Sequence, residues 1–547
     1  MNRWPHISLI SPTTAQLRHF GLMALLLIAG CTPSSNAPNP VGSKDQGIIT
    51  VGTTQKPRTL DPADAYELRS IALIRNLSDR LYTYDPGSTE LKPQLATALP
   101  KISADGLTYT IPLRTGVVFH DGTPFNATAM AFSLNRFIQN KGKPSFLLSD
   151  RVDTITATSP TELTIKLKKP FAAFPSMLAF PGTCALSPKA YKIKENEFEA
   201  NIFVGTGPYT LAEYGTDRVK LTAFDRYWGP KPLNRSVTVQ VFNKNSANLY
   251  NSFRTGAVDI AFQALEPDQV KVLEAGAKAG DWQSIAIDGS VTSYLILNVL
   301  QKPLDNPLVR QAMAALIDRP TINERVLYGQ GKPLYSIVPD TFAVSQPVFK
   351  NAYGDGNIAK AKQLLTQAGF SPQHPAVIEV WYPSGSTPRR LTAGFLRAYA
   401  QKKLGGMLDI QPNTIESASF FKYASQNTYP ATLQDWYPDF LDPDNFVQPF
   451  LECPNQDPDH KGCKDGGTQS QGSFYYSDRM NQLITAQGKE TDPTKRKQIY
   501  ADIQTKLIED VPLIPLWQTK DFVFAKKGMS GIKIDPLQNL LYSEIKK

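Results

Sequence analysis

Histidine is scarce in this chain, and the spacing of the few present excludes whole classes of chemistry. Five histidines occur among 547 residues: His6 and His19 lie near the start, and His120, His374 and His460 stand singly in turn-like contexts. None belongs to a His-Glu-x-x-His or related ligand set. The chain also has no Gly-x-Ser-x-Gly nucleophile elbow and no phosphate loop ending in Gly-Lys-Ser/Thr. Carboxylates are plentiful, but Asp439, Asp442 and Asp444 come without an identifiable acid partner. The sequence thus assembles no catalytic set and implies no cofactor, which points to binding rather than catalysis. A basic block is missing as well. The net charge of +9 is spread along the chain, with only short pairs such as Lys168-Lys169, Lys402-Lys403 and Lys526-Lys527, so a nucleic-acid partner lacks its patch.

What is there begins with an address. Arg3 and Arg18 precede one apolar run, residues 20–29, too short to span a bilayer comfortably but suited to the core of a signal peptide. Leu27-Ile28-Ala29-Gly30-Cys31 resembles a bacterial lipobox, in which the signal is removed and the cysteine becomes a lipidated first residue. Residues 31–47 are rich in Pro, Ser, Asn and Gly with no apolar period and read as a flexible tether. Acyl chains on Cys31, each buried CH2 contributing roughly 0.8 kcal/mol, would hold the protein on a membrane surface. No second apolar run is long enough to cross. The expected location is therefore extracytoplasmic, in the periplasm or on the outer face of the cytoplasmic membrane.

That location bears on the other three cysteines. Cys453 and Cys463 bound a short polar loop rich in Gly and Asp, which favours a disulfide; a metal site including His460 is the alternative, though it lacks a fourth ligand. Cys184 reads as a small buried apolar residue. With 41% hydrophobic and 20% charged residues the remainder is globular, and at roughly 150 residues per domain it fills two to four lobes.

Strand and helix patterns alternate along it. Residues 48–54 read as a first strand, 68–81 as a helix with Leu73, Leu77 and Leu81 on one stripe, and 107–113 as a strand. Asn126 is positioned to cap a helix over 127–137, Asn306-Pro307 to open another, and Gly369 to stop a helix over 361–368. Gly205-Thr206-Gly207-Pro208 is a tight turn feeding a strand, and 291–299 is strand-like. One stretch fits neither period. Residues 432–446, TLQDWYPDFLDPDNF, interleave acids with Trp436, Tyr437, Phe440 and Phe446, and Pro438 and Pro443 stiffen them. They read as a recognition loop with apolar wall and placed charge, the mixture that a small cationic ligand requires.

Five segments in order, 113–133, 203–211, 303–319, 361–370 and 500–517, together resemble the family 5 extracytoplasmic solute-binding proteins of ABC importers, which include receptors for oligopeptides, dipeptides and nickel. The first, LRTGVVFHDGTPFNATAMAFS, and the third, PLDNPLVRQAMAALIDR, are the most specific. The resemblance implies an α/β periplasmic-binding-protein-like fold of type II, with a two-crossing hinge, two ligand-binding lobes and an extra lobe. By that resemblance lobe I comprises 48–87, 199–297 and 518–547, lobe II, the extra domain, 88–198, and lobe III 298–517, following a signal peptide over 1–30.

The implied function is capture of a short peptide between lobes and delivery to an ABC permease, by a monomer anchored through its lipid. Receptors of the same family for a nickel chelate, opine, oligosaccharide or haem, and a chaperone-like binder of extended chains, are the alternatives. Trp436 and Asp439 keep the spacing at which the family's aspartate receives a peptide's α-ammonium group. Tyr437-Pro438 stands where smaller residues are usual, so Tyr437 reshapes that pocket. Arg389 and Arg390 match an Arg-Arg pair, one of which binds the ligand carboxylate; Asp442 and Asp444 are expected to stabilise the turn. For the anchor, Cys31→Ser is expected to move the protein from the membrane to the soluble fraction, and membrane fractionation unchanged by the substitution would count against it.

Overall fold

The computed structural model describes residues 47–263 and 265–547; the expected signal peptide, Cys31 and almost all of the tether lie outside them. Two long strands, Trp282–Leu297 and Leu513–Lys526, run antiparallel along the middle of an eleven-stranded mixed sheet. Flanking strands join this ladder at opposite ends. Ile260–Phe262 pairs with residues 523–525, and beyond it lie Ile48–Thr53, Ser236–Val241, Arg218–Ala223 and Tyr209–Tyr214. Ala431–Trp436 pairs with residues 292–297, followed by Ala376–Pro383 and Leu408–Ile415. Between the two attachments the register breaks: Asp288 faces Lys520, and the next pair is Thr292 with Gln518. A bulge bends and twists a strand locally. Gly289 is required there, since a Cβ would meet Asp521 Oδ2 at 2.5 Å, and its carbonyl accepts from Gln518 Nε2 at 2.7 Å.

A separate antiparallel sheet of four strands, Lys101–Ile102, Thr108–Pro112, Glu162–Leu167 and Val152–Ser159, packs against the helix Ala127–Gln139. Asn126 caps that helix, its side chain accepting from the Ala129 amide at 3.0 Å. Asn306 caps Pro307–Leu316 in the same way, and Gly369, with φ +88°, follows the helix Ile358–Gln367. This helix starts three residues before the expected 361 because Asn357 caps it.

The first helix, Leu68–Leu77, stops before the expected Leu81. The cause is tertiary. Ser78 turns extended and donates to the Ala185 carbonyl at 2.7 Å, and the next residue, Asp79, is buried as an acceptor for Thr206 Oγ1, Trp228 Nε1 and Gln94 Nε2. The Gly205–Pro208 turn closes over this spot, where a Cβ on Gly207 would lie 2.5–2.7 Å from the Leu77 and Ser78 backbone. Cys184 is buried nearby, and desolvation pushes its thiol up to about 12.

Residues 47–547 pack as one unit. One tie across it is Arg136, on the Ala127–Gln139 helix, which forms a bidentate pair with Asp61 at 2.7 and 2.6 Å; the side chains are 2% and 0% exposed. Asp61 also accepts from the amides of Ala63 and Glu199, so every lone pair is used. Arg136→Ala would strand a buried carboxylate, and a loss of about 3–5 kcal/mol is expected in urea unfolding; a loss below 1 kcal/mol would show that water or relaxation replaces the guanidinium.

Candidate functional site

A cleft opens beside the ladder, between residues 55–71 and 519–538 on one side and 385–389, 421 and 435–439 on the other. It consists of two cavities of about 500 and 520 Å3 that share Gln55, Leu68, Asp435 and Tyr437 as walls. Trp436, Tyr437 and Asp439 line the first, with Tyr66 and Phe421; Arg389 and Tyr437 line the second, with Arg69, Lys520 and Asp521.

The stretch 432–446 is not a single loop. Its start completes the strand Ala431–Trp436, whose Thr432, Leu433 and Gln434 are buried against the ladder, and Asp444–Leu451 is helical. Only 437–443 connects them. Phe440 and Phe446, expected on a binding surface, are core residues, since the connection folds back and buries them. The same fold-back explains Asp442 and Asp444. Arg496 grips both Asp442 oxygens at 2.7 Å, and Asp442 accepts from the Asp444 amide at 2.9 Å. Asp444 accepts from Gln487, and burial raises it to about 6. Both acids brace the connection from beneath.

Asp439 differs from them in having no cation near it among the described residues, whereas Asp444 feels Arg151 and Arg496. Its amide donates to Asn445 Oδ1 at 2.9 Å, and burial raises its carboxyl to about 6, against the pull of the Tyr66 phenol and the Asn445 side chain. Trp436 beside it packs edge-on to Phe450 at 5.2 Å, and its buried indole Nε1 has no partner among the described residues. Tyr437 is 44% exposed, yet burial raises its phenol to about 12. The two facts agree if the ring projects from a concave wall, reachable by water but surrounded by protein. Charges of both signs surround it, namely Asp435, Arg389, Asp521 and Arg69.

The expected arginines separate. Ser386 caps the helix Thr387–Leu404, and Arg389 in its first turn reaches the cleft, where Nε and Nη2 donate to Asp435 Oδ2 at 3.2 and 2.6 Å. Ser293 Oγ holds the other Asp435 oxygen at 2.6 Å. Arg390 is exposed and lines neither cavity, because successive helical residues point about 100° apart. Cys453 and Cys463, Cα atoms 5.7 Å apart, are joined as a disulfide that closes the loop.

Three cleft groups carried no signal that singled them out: Asp435, Arg69 and Asp521. Arg69 lies in the first turn of Leu68–Leu77, off the Leu73 and Leu77 stripe by which that helix was recognised. Asp521 is buried within a long apolar strand, a local conflict that sequence reading could have flagged. It accepts from Gln538, its Oδ2 has no partner, and burial raises it to about 7.

An open two-walled cleft with aromatic faces and an uncompensated carboxylate defines a small-solute binding site. The model of the bacterial extracellular solute-binding proteins, family 5, matches residues 90–458, and the chain belongs to that family. It is 28% identical over 526 residues to the glutathione-binding protein GsiB of Escherichia coli strain K12, covering 94% of this chain and 96% of that one. Among solved structures it is similar to the dipeptide-binding protein of Pseudoalteromonas sp. SM9913 in complex with Met-Leu, with 25% identity, a TM-score of 0.75 and coverage of 91% and 100%. NikA of Brucella suis in complex with Fe(III)-EDTA shares the fold, with a TM-score of 0.79, 22% identity and coverage of 91% and 100%.

The charge on Asp439 opposes folding in the ligand-free protein. Its native pKa of about 6 lies above the unfolded value of roughly 3.9, so between those limits the native state binds more protons and gains stability as pH falls. Two units would be about 3 kcal/mol in a closed site; the open cavity admits screening water, which leaves about 1 kcal/mol. Asp439→Asn is therefore expected to raise the melting temperature at pH 7.5, with the gain shrinking through pH 6 and vanishing near pH 4. A gain independent of pH would mean that Asp439 titrates normally.

Proposed function

We propose that this protein is the receptor of an ABC importer, that it takes a short peptide into the cleft, closes over it and hands it to the permease without covalent change. The observation that carries this reading is Asp439, a desolvated carboxylate without a cation, beside the Trp436 and Tyr437 faces. A peptide's α-ammonium, with a pKa of roughly 7.7 to 8.0, is cationic at neutral pH and supplies the missing charge. The glutathione-binding and dipeptide-binding relatives support a ligand with peptide character. The ladder supports the motion: between the two attachments, the bulge at Gly289 is the point about which lobe I (48–87, 199–297, 518–547) would swing against lobe III (298–517), with 88–198 riding as lobe II. The lipobox-like segment before Cys31 supports a lipid anchor, and a single chain acting as a monomer suffices.

Native mass spectrometry of the purified protein would name any retained solute by mass. Calorimetry with a retained peptide then tests the anchor. N-acetylation of the peptide and Asp439→Ala are each expected to weaken binding about 30-fold or more, the usual loss when one partner of a desolvated pair is removed. If both leave the affinity unchanged, the amine anchor is wrong.

A further inference from the structure

Once Arg389 is paired, another cation must meet the far end of the ligand. Two of its guanidinium nitrogens are spent on Asp435, which Ser293 also orients, so the pair is close to neutral as it faces the cleft. A carboxylate arriving there would have to sit beside the Asp435 charge. Arg69 has no such constraint. It lines the second cavity, its described side-chain bond is to the neutral Gln263 amide oxygen, and its buried Nε has no partner among the described residues. Among the described residues no carboxylate lies within ion-pair distance of it. The groups nearest in charge are the phenols of Tyr542 and Tyr437, neither of them an anion at neutral pH.

Arg69 is half-buried, and a partly desolvated guanidinium with no anion beside it is stabilised when one arrives. We propose that Arg69, and not Arg389, is the specificity-determining residue that takes the ligand's carboxylate. This rests on the peptide reading above. Asp439 and Arg69 then form the two poles of one site, in adjoining cavities that share Tyr437, and a zwitterion lies across that ring with its amine at Asp439. The planar fork suits the group, since guanidinium nitrogens can match both carboxylate oxygens. Lys520 lines the same cavity and is half-buried, but an ammonium on a flexible stem keeps its own hydration and needs no ligand to complete it. Asp435 repels anions from its side of this cavity, which favours the Arg69 guanidinium as the landing point.

The test uses a library of di- to tetrapeptides with free C-termini and the same library as C-terminal amides, bound to the full mature protein and read by native mass spectrometry and competition. Wild type is expected to prefer the free acids by about 30-fold or more. Arg69→Met should bring that preference close to one, while Arg389→Met and Lys520→Met keep it, and Arg69→Lys should restore part of it. Melting of ligand-free Arg69→Met is expected at or above the wild-type temperature, since a half-buried charge without an anion is removed; if that variant does not fold, Arg69→Lys carries the comparison, a smaller preference supporting the assignment and an unchanged one overturning it. Retained peptides that are sensitive to N-acetylation but indifferent to amidation would overturn the Arg69 assignment alone. So would loss of the preference in Arg389→Met or Lys520→Met instead. If wild type retains neither library, the peptide reading fails, and the carboxylate pole fails with it.

Discussion

Everything in this molecule hangs on the antiparallel pairing of Trp282–Leu297 with Leu513–Lys526. Those strands are far apart in sequence, so the ladder forms only when most of the chain has been gathered in, and it is the one seam that both flanking groups of strands share. Because the flanks attach at its opposite ends, the cleft lies beside the stretch between them, where only the short strand Gly331–Pro333 is added, pairing with residues 517–519. The bulge falls in the same stretch. A sheet joined in this way is stiff along its strands and soft in twist at the irregularity, which is the property a closing receptor needs.

Polar groups sort into two kinds by whether their charge is balanced inside the protein. Asp61 with Arg136 and Asp442 with Arg496 are bidentate and fully bonded, and they tie distant segments together or brace the connection under the site. Asp79 collects four side-chain donors, from Gln94, Thr206, Tyr227 and Trp228, around the turn at Gly205–Pro208. In the cleft the balance is left open. Among the described residues Asp439 and Arg69 have no ion-pair partner, and one buried polar atom each of Arg69, Asp521 and Trp436 has no hydrogen bond, bonding that a ligand in the cleft can complete.

The same contrast explains why the family-like segments gave the fold away more readily than the site. Gly207 in the second segment packs against the Leu77 backbone and Asn126 in the first caps a helix, so residue types in those segments are set by contacts that the fold itself requires. Arg389 shows the opposite case. Its position in the first turn after a serine cap was legible, but its pairing with Asp435 depends on a strand more than forty residues away, and that pairing changes what the arginine can bind.

Local chemistry was enough to determine where several elements begin, because an asparagine cap or a glycine of positive φ acts within one turn of chain: Asn126, Asn306 and Gly369 stand at the ends expected of them. It also determined that Trp436, Tyr437 and Asp439 lie close together, since they are neighbours in sequence. Tertiary structure decided the rest. It ended the first helix at Leu77 by drawing Ser78 and Asp79 into bonds with distant segments, and it turned Phe440 and Phe446 into core by folding the connection back. It alone brought Arg69 and Asp521 into the cleft beside Tyr437. Burial and charge balance are sums over every neighbour in space, and sequence reports only the neighbours along the chain.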